Sequence, residues 1–215
     1  TVYTTGTGPT AIIVVYDIFG PSNQSKQLCD KMAESSGYQI IMPDFFRGDP
    51  WLIQNYPPSS REEFQGWLSQ HGTDPTASHV GTDIDLVHEK LVADGANVGI
   101  LGLCWGGIIA MVAAASGKYK VAGTAHPAFL TPDKAAQIKC PMILVPAKDD
   151  VKTMEGIEET IKTKTQYECQ VHWYQNMHHG FCAARGDWSV KEQAEAATEA
   201  IGLFVSFFTK YLNQP

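Results

Sequence analysis

A glycine-rich segment between a strand and a helix constrains this chain more than any other feature. Residues 102–107 read GLCWGG; they close an apolar run that begins at Val98 and precede an alanine-rich stretch typical of a helix. So sharp a turn needs small residues two positions before and two after its tip, because a Cβ there would clash with the backbone. Gly102 and Gly106 meet this need around Cys104. The pattern predicts a nucleophile elbow with a cysteine at its tip.

The position of Cys104 also matters for its chemistry. An elbow holds its central side chain above the sheet at the start of the following helix, where the positive end of the helix dipole favours a thiolate. The alternative is a buried structural cysteine beside a glycine-rich turn. Glycine spacing alone leaves that alternative open, but the strand-turn-helix context favours the reactive cysteine.

Elsewhere the chain alternates short apolar runs with amphipathic stretches. Strands are predicted at Ala11–Val15, Tyr38–Met42, Val98–Leu103, Val121–Ala125, Met142–Ala147 and Cys169–Tyr174. Helices are predicted from Ser22 to about Ser36 and at Arg61–Gln70, Ala77–Asp94, Gly106–Ser116, Met154–Lys164 and Val190–Leu212. Strands that are apolar on both faces and alternate with helices indicate an α/β fold, with a mostly parallel central sheet covered by helices on both faces. We expect one domain over residues 1–215, with the proline-rich segment 43–60 as a cover over the site.

Charge and cysteine content narrow the class of protein. The net charge of −7 and the pI near 5.4 give an acidic surface, which disfavours nucleic acid and anionic membranes as partners. Residues 1–9 lack the order of a secretory signal, and five scattered cysteines do not suggest a disulfide framework. We therefore expect a cytoplasmic protein with free thiols and a small-molecule substrate. The oligomeric state is left open.

Partners for Cys104 are sought further along the chain, because the order in such elbow enzymes is nucleophile, acid, histidine. Asp149 and Asp150 follow the strand predicted to end at Ala147, and His179 follows the one predicted to end at Tyr174. Carboxyl ends of parallel strands form the edge where open α/β sheets place their sites. His179 is preferred to the adjacent His178. Gly180, directly after His179, is a flexible residue, and Phe181 would give the imidazole an apolar wall.

Two other roles for histidine are considered. His126, at the end of a predicted strand, is a rival base, or more simply a hydrogen-bonded histidine of the pocket. A metal site of His178, His179 and Cys182 is disfavoured, since adjacent histidines point apart in extended chain and no familiar ligand spacing is present.

At this point the sequence resembles the dienelactone hydrolase family of the α/β-hydrolase superfamily. The likeness extends over nearly the whole chain and rests on the segments 17–20 (DIFG), 43–44 (PD), 102–107 (GLCWGG), the Asp149 region, 171–174 (VHWY) and 179–181 (HGF). It implies a triad of Cys104, His179 and Asp149 that opens a lactone or ester without metal or organic cofactor. By the same likeness, Asp149 is preferred to Asp150 from its register after Ala147.

The resemblance also implies supporting residues. Backbone N–H groups of Ile18 and Trp105 would form the oxyanion hole. Asp17 stands where the family has a glutamate that contacts the resting cysteine and releases it when substrate binds; the alternative for Asp17 is a loop-start residue that bonds nearby backbone. Arg61 and Arg185 lie near the positions that hold a substrate carboxylate, with Arg47 as a candidate of the cover segment, and each could instead be a solvated surface charge.

Aromatic side chains complete the candidate site. They share a position near the predicted strand ends or the cover segment, and core packing explains any one of them equally well: Phe19, Trp51, Trp105, Trp173 and Phe181.

Three functions are compatible with these residues. The favoured one is hydrolysis of a small carboxylated lactone or ester through a thioacyl-enzyme intermediate. The second keeps the chemistry but has the broad specificity of a general esterase. The third is a redox-sensing thiol protein on the same scaffold, in which Cys182 would resolve an oxidised Cys104.

Overall fold

The computed structural model describes residues 1–72 and 78–213 and contains one seven-stranded sheet. The strands are β1 (Val2–Thr5), β2 (Ala11–Val15), β3 (Gln39–Pro43), β4 (Val98–Leu103), β5 (Val121–Ala125), β6 (Met142–Val145) and β7 (Cys169–Val171). Their order in the sheet is β1-β3-β2-β4-β5-β6-β7. All neighbouring pairs are parallel except β1 with β3. The predicted mostly parallel α/β sheet is therefore confirmed.

Helices alternate with the strands. They are α1 (Asn23–Ser36), α2 (Arg61–His71), α3 (His79–Ala93), α4 (Gly106–Ala115), α5 (Pro132–Ala135), α6 (Ile157–Lys164) and α7 (Lys191–Leu212). Most predicted elements are present, with ends that shift by one to three residues. Ala77, the predicted start of α3, lies outside the described residues.

Glycines in the central strands show which helix covers which face. A Cβ on Gly99 of β4 would lie 2.9 Å from the ring of Phe208 in α7, whereas a Cβ on Gly102 of the same strand would meet Gly106 of α4 at 1.9 Å. Residues 99 and 102 point to opposite faces of a strand, because side chains alternate. Helices α7 and α4 therefore cover opposite faces, as predicted, and the inner strands are apolar on both. All five residues of β2 are fully buried.

Two elements were missing from the predictions. Strand β1 is an edge strand whose residues alternate between exposed and half-buried, so it carries no apolar run. Helix α5 has only four residues, too few to show a period. Among the described residues, no helix is long and apolar enough to cross a membrane.

Candidate active site

The elbow has the backbone geometry that its glycines predict. Cys104 has φ of 53°, in the left-handed region that non-glycine residues rarely occupy. A Cβ on Gly102 would lie 1.9 Å from the carbonyl oxygen of Gly106, and one on Gly106 would lie 2.1 Å from that of Val15. The neighbouring chain segments thus approach so closely that only glycine fits on either side of Cys104.

Backbone hydrogen bonds hold this strained turn in place. The N–H of Cys104 donates to the carbonyl of Ala125 at 3.1 Å, and the Cys104 carbonyl accepts from the N–H groups of Gly107 and Ala128, each at 2.9 Å. The side chain of Cys104 sits at the N-terminus of α4 in a residue that is 8% exposed. Strain of this kind persists only where the surroundings over-determine it, and it is common at reactive residues.

His179 and Asp150 form the closest ionisable pair at this edge of the sheet. The Nδ1 atom of His179 lies 2.6 Å from Oδ1 of Asp150, which is 2% exposed. The other carboxylate oxygen of Asp150 accepts from the N–H of Ala147 at 2.7 Å. A carboxylate fixed in this way orients the imidazole and stabilises its protonated form.

The choice of Asp149 as the partner of the imidazole is therefore corrected. Residues Lys148–Asp150 form a 3-10 turn directly after Ala147, and this turn carries the side chain of residue 150, not that of residue 149, back toward the buried ring. Asp149 is exposed and accepts instead from the backbone N–H of His179, at 3.0 Å. Its carboxylate holds the histidine loop but does not reach the ring.

Electrostatics join His179 to Cys104. Burial by itself lowers the pKa of His179, but hydrogen bonding and charge attraction from Cys104 and Asp150 outweigh burial and raise the pKa to about 11. Because Nδ1 is used by Asp150, Nε2 is the ring atom left for the sulfur. The arrangement therefore places a protonated imidazole ring beside the side chain of Cys104.

The predicted oxyanion donors lie just beyond the carboxyl ends of two neighbouring strands, β2 and β4. Val15 of β2 pairs with Gly102 of β4, so Ile18 and Trp105 each stand three residues beyond a paired position at the same edge. The Trp105 side chain turns away into the core: it is fully buried, its ring packs on Phe46 at 4.8 Å, and its Nε1 donates to the carbonyl of Gly72. Trp105 can thus contribute through its backbone, but its indole does not line the site.

Asp17 is buried and joins two loops of the site. Its Oδ1 accepts from the N–H of Phe19 at 2.9 Å and its Oδ2 from the N–H of Ala184 at 3.0 Å. Burial raises the pKa of Asp17 to about 6, against the lowering effect of those two donors. With both oxygens bonded to backbone, Asp17 is a clamp between the loop after β2 and the loop after His179. The family resemblance implied that Asp17 contacts the resting cysteine. In the structure both carboxylate oxygens of Asp17 instead accept from backbone N–H groups, as in the loop-start alternative.

The ring of His126 packs edge-on between two other rings of the site. His126 packs edge-on against His179 at 5.3 Å and against Phe181 at 5.8 Å. His126 is fully buried at φ of 36°, and neither ring nitrogen has a hydrogen-bond partner among the described residues. Burial and the charge of His179 lower the pKa of His126 well below its usual value. His126 is therefore a neutral packing partner of His179; the simple hydrogen-bonded role was wrong.

His178 points elsewhere. Its Nε2 lies 3.2 Å from Oε1 of Gln193 in α7, and its Nδ1 lies 2.9 Å from the carbonyl of His179. Cys182, the third residue of the disfavoured metal site, is fully buried as a free thiol. Within residues 1–72 and 78–213, no group of three or more His, Cys, Asp or Glu side chains could hold a metal ion.

The three arginines occupy different environments. Arg185 donates from Nη1 to the carbonyl of His179 at 2.6 Å, and its guanidinium lies 4.8 Å above the ring of Tyr56. Arg47 forms a largely exposed ion pair with Asp83 at 3.0 Å, and Arg61 is an exposed residue at the start of α2. Arg185 is thus the arginine that the structure joins directly to the loop of His179.

The remaining aromatic candidates also separate into two groups. Phe19 is half-buried and packs edge-on against Tyr56 at 5.6 Å. It follows Ile18 in the loop after β2, which we call the oxyanion loop because it carries one of the predicted oxyanion donors. Trp51 of the cover segment donates its backbone N–H to the carbonyl of Ile18, so the segment does reach that loop. Trp173 instead donates its indole N–H to Glu158 of α6. Tyr56 was not predicted as a site residue, because it belongs to no motif. The sequence indicated only that its segment, 43–60, covers the site.

Comparison with known proteins defines the class. The fold matches that of a dienelactone hydrolase-like promiscuous phosphotriesterase from metagenomic libraries, with a TM-score of 0.68 at 17% identity over 97% of this chain and 89% of that one. The chain therefore has the α/β-hydrolase fold.

Sequence comparison narrows the class to a family. The profile of the dienelactone hydrolase family matches residues 1–212, and the chain belongs to that family. An uncharacterised AIM2-family protein of Schizosaccharomyces pombe is 30% identical over 97% of this chain and 86% of its own length. Hydrolase pyvD of Aspergillus violaceofuscus is 28% identical over 95% of this chain and 82% of its own length. The chain is a hydrolase by this membership.

Proposed function

We propose that this protein opens a small lactone or ester by nucleophilic attack of Cys104, through a thioacyl-enzyme intermediate. The observation that carries the proposal is the 2.6 Å pair of His179 and Asp150, at the same sheet edge as the strained strand-to-helix turn that carries Cys104. Asp150 takes the orienting role that the family resemblance had given to Asp149.

The first half of the reaction forms the thioester. The Cys104 thiolate attacks the carbonyl carbon, and the oxygen, now negatively charged, is placed for the backbone N–H groups of Ile18 and Trp105. As the tetrahedral species collapses, the bond to the leaving oxygen breaks and Nε2 of His179 gives that oxygen its proton. Cys104 is left acylated, with a neutral imidazole beside it.

The second half restores the enzyme. His179 takes a proton from a water molecule, the hydroxide attacks the thioester, and the carbon–sulfur bond breaks to release the carboxylic acid. The thiolate and the imidazolium then form again. Asp150 keeps Nδ1 bonded in both halves, so the ring needs no rotation that would break its anchor.

The nucleophile is tested by paired cysteine variants. Cys104→Ala should lower hydrolysis of 4-nitrophenyl acetate by at least 10³-fold and remove the rapid reaction with iodoacetamide, since the thiolate supplies the covalent step. Cys169→Ala is the matched control, because Cys169 is more exposed than Cys104 but lies on β7. Mass spectrometry of the acylated protein should place the acetyl group on Cys104. Activity in the alanine variant above a few per cent of wild type, or an acetyl group elsewhere, would contradict the assignment.

A carboxylate on the substrate is the finer part of the proposal, and Arg185 supports it. A guanidinium fork matches a carboxylate, and this one is half-buried beside the catalytic loop. Arg185→Ala should lower kcat/KM for a dienelactone by 30-fold or more, in line with a loss of about 2–5 kcal/mol when a desolvated charge loses its partner. A neutral nitrophenyl ester should lose much less.

The exposed Arg61 supplies the control. Arg61→Ala should leave the ratio of the two kcat/KM values at its wild-type value. If Arg185→Ala also leaves that ratio unchanged, Arg185 does not recognise a carboxylate, and the broad esterase becomes the better description of the enzyme.

A further inference from the structure

A hollow of about 660 Å³ borders the loop that carries His179. It lies between the first turns of α1, the cover segment around Tyr56 and the segment 184–188. We call it the Tyr56 hollow. The lining residues that matter below are Gln24, Gln27, Tyr56, Arg185 and Trp188.

One side chain joins this hollow to the backbone of the His179 loop. Arg185 donates to the carbonyl of His179 at 2.6 Å and covers the ring of Tyr56 at 4.8 Å. On its other side Tyr56 packs against Phe19, whose N–H is held by Asp17 in the oxyanion loop. The wall of the hollow is therefore continuous with both the histidine loop and the oxyanion loop.

The position relative to His179 decides which half of a substrate can enter. In the proposed reaction the acyl half stays on Cys104, and the leaving oxygen must approach His179 to receive its proton. A hollow that borders the histidine loop is therefore suited to the leaving-group half of a substrate.

The lining determines the chemistry of the occupant. Tyr56 and Trp188 offer aromatic surface, and the carboxamides of Gln24 and Gln27 can each donate and accept hydrogen bonds. Arg185 and Asp187 add one charge of each sign to the lining. The aromatic and carboxamide part of this wall fits a flat ring that carries hydroxyl or carbonyl groups.

We propose that the Tyr56 hollow binds the leaving-group half of the substrate, and that this half is an aromatic or cyclic alcohol bearing further hydroxyl or carbonyl groups. The proposal rests on the proposed function and deepens it: the enzyme would prefer such esters and lactones to those of simple alkyl alcohols.

The kinetic test uses two esters with one acyl group. Resorcinol monoacetate and ethyl acetate leave the same acetyl group on Cys104, so any difference between them belongs to acylation and the leaving group. Gln27→Ala, a change at a solvent-exposed residue of α1, should lower the ratio of kcat/KM for resorcinol monoacetate to that for ethyl acetate about 5-fold. Gln137→Ala, at an exposed glutamine whose amide bonds within the α5 region, should not change that ratio.

A binding test separates this proposal from the proposed function. Resorcinol itself should bind the Cys104→Ala protein, which cannot turn over, and should shift the NMR signals of Tyr56 and Trp188. Gln27→Ala in the same background should weaken that binding about 5-fold. If resorcinol binds but no ester acylates Cys104, the hollow stands and the thioacyl mechanism fails. No binding, or a kcat/KM ratio that Gln27→Ala leaves unchanged, overturns the assignment of the hollow.

Discussion

Two parts of the active-site edge are built in different ways. The nucleophile edge comprises residues 16–20 and 102–107, after β2 and β4, and it is fixed by backbone contacts: Gly102 against Gly106, and Gly106 against Val15. The acid–histidine edge comprises residues 146–151 and 174–186, around the ends of β6 and β7, and it is fixed by side chains that cross between loops, above all Asp150 and Asp149 on His179.

The difference teaches where information about a site resides. Where one backbone approaches another to van der Waals distance, only glycine fits. The glycines of the nucleophile edge can therefore be recognised in the local sequence. A carboxylate reaching across to a ring 29 positions away leaves no such local requirement. Adjacent aspartates satisfy the local pattern equally well, and the turn geometry chooses between them.

The largest expected effect separates the two aspartates of the acid–histidine edge. Asp150→Asn should lower kcat on the order of 10²- to 10³-fold, because a neutral amide cannot stabilise the imidazolium as a carboxylate does. Asp149→Asn keeps a carbonyl acceptor for the N–H of His179 and should cost no more than about 5-fold. Turnover of 4-nitrophenyl acetate by the purified variants measures both. Equal losses at the two positions would contradict the pairing seen here.

The next effect tests the backbone origin of the nucleophile edge. Gly106→Ala places a Cβ 2.1 Å from the Val15 carbonyl oxygen and should lower the free energy of unfolding by about 3 kcal/mol. Gly202→Ala in α7 is the control: nothing lies within 4 Å of its Cβ, and alanine should stabilise the helix by up to about 1 kcal/mol. Denaturant unfolding gives both values. A Gly106→Ala protein of wild-type stability would show that the elbow is less tightly packed.

A smaller effect concerns the clamp that joins the two edges. As pH falls through about 6, Asp17 takes up a proton and one of its two backbone donors loses its acceptor. We therefore expect kcat/KM to fall on the acid side with an apparent pKa near 6. Asp17→Asn should lower kcat/KM about 10-fold at pH 8 and remove that acid limb.

The control for the clamp is Asp30→Asn, at an exposed carboxylate that accepts from Tyr3 of the edge strand β1. Its pH profile should match that of the wild type. An acid limb that persists unchanged in Asp17→Asn would assign the titration to another group and end the clamp interpretation.

The smallest effect on activity is expected at His126. His126→Phe keeps a ring against His179 and removes two buried nitrogens that have no partner among the described residues. Kcat should change less than about 3-fold, while the free energy of unfolding should rise by about 1 kcal/mol, because a buried polar group without a partner is destabilising. A large loss of kcat in a stably folded variant would instead give a ring nitrogen a part in the reaction.

Much of the fold and part of the site were accessible from the sequence. The inner strands β2, β4 and β5 are buried on both faces, so each appears as a run of apolar or small residues, and their ends were predicted to the residue. Strand β1 was not predicted, because only one of its faces packs against the rest of the protein and its sequence has no apolar run. The elbow at Cys104 and the histidine at position 179 were found, since the first carries a steric signature and the second a motif of its family.

By itself the sequence determined the parallel sheet and the elbow, because apolar periodicity and glycine spacing record backbone requirements locally, and a motif shared with the family pointed to His179. The tertiary structure alone decided that Asp150 meets the imidazole, that Asp17 bonds backbone and not Cys104, and that Arg185 lies on Tyr56. Each of these depends on the direction of a side chain across a loop. A single 3-10 turn reverses that direction between adjacent residues, and no spacing in the sequence records it.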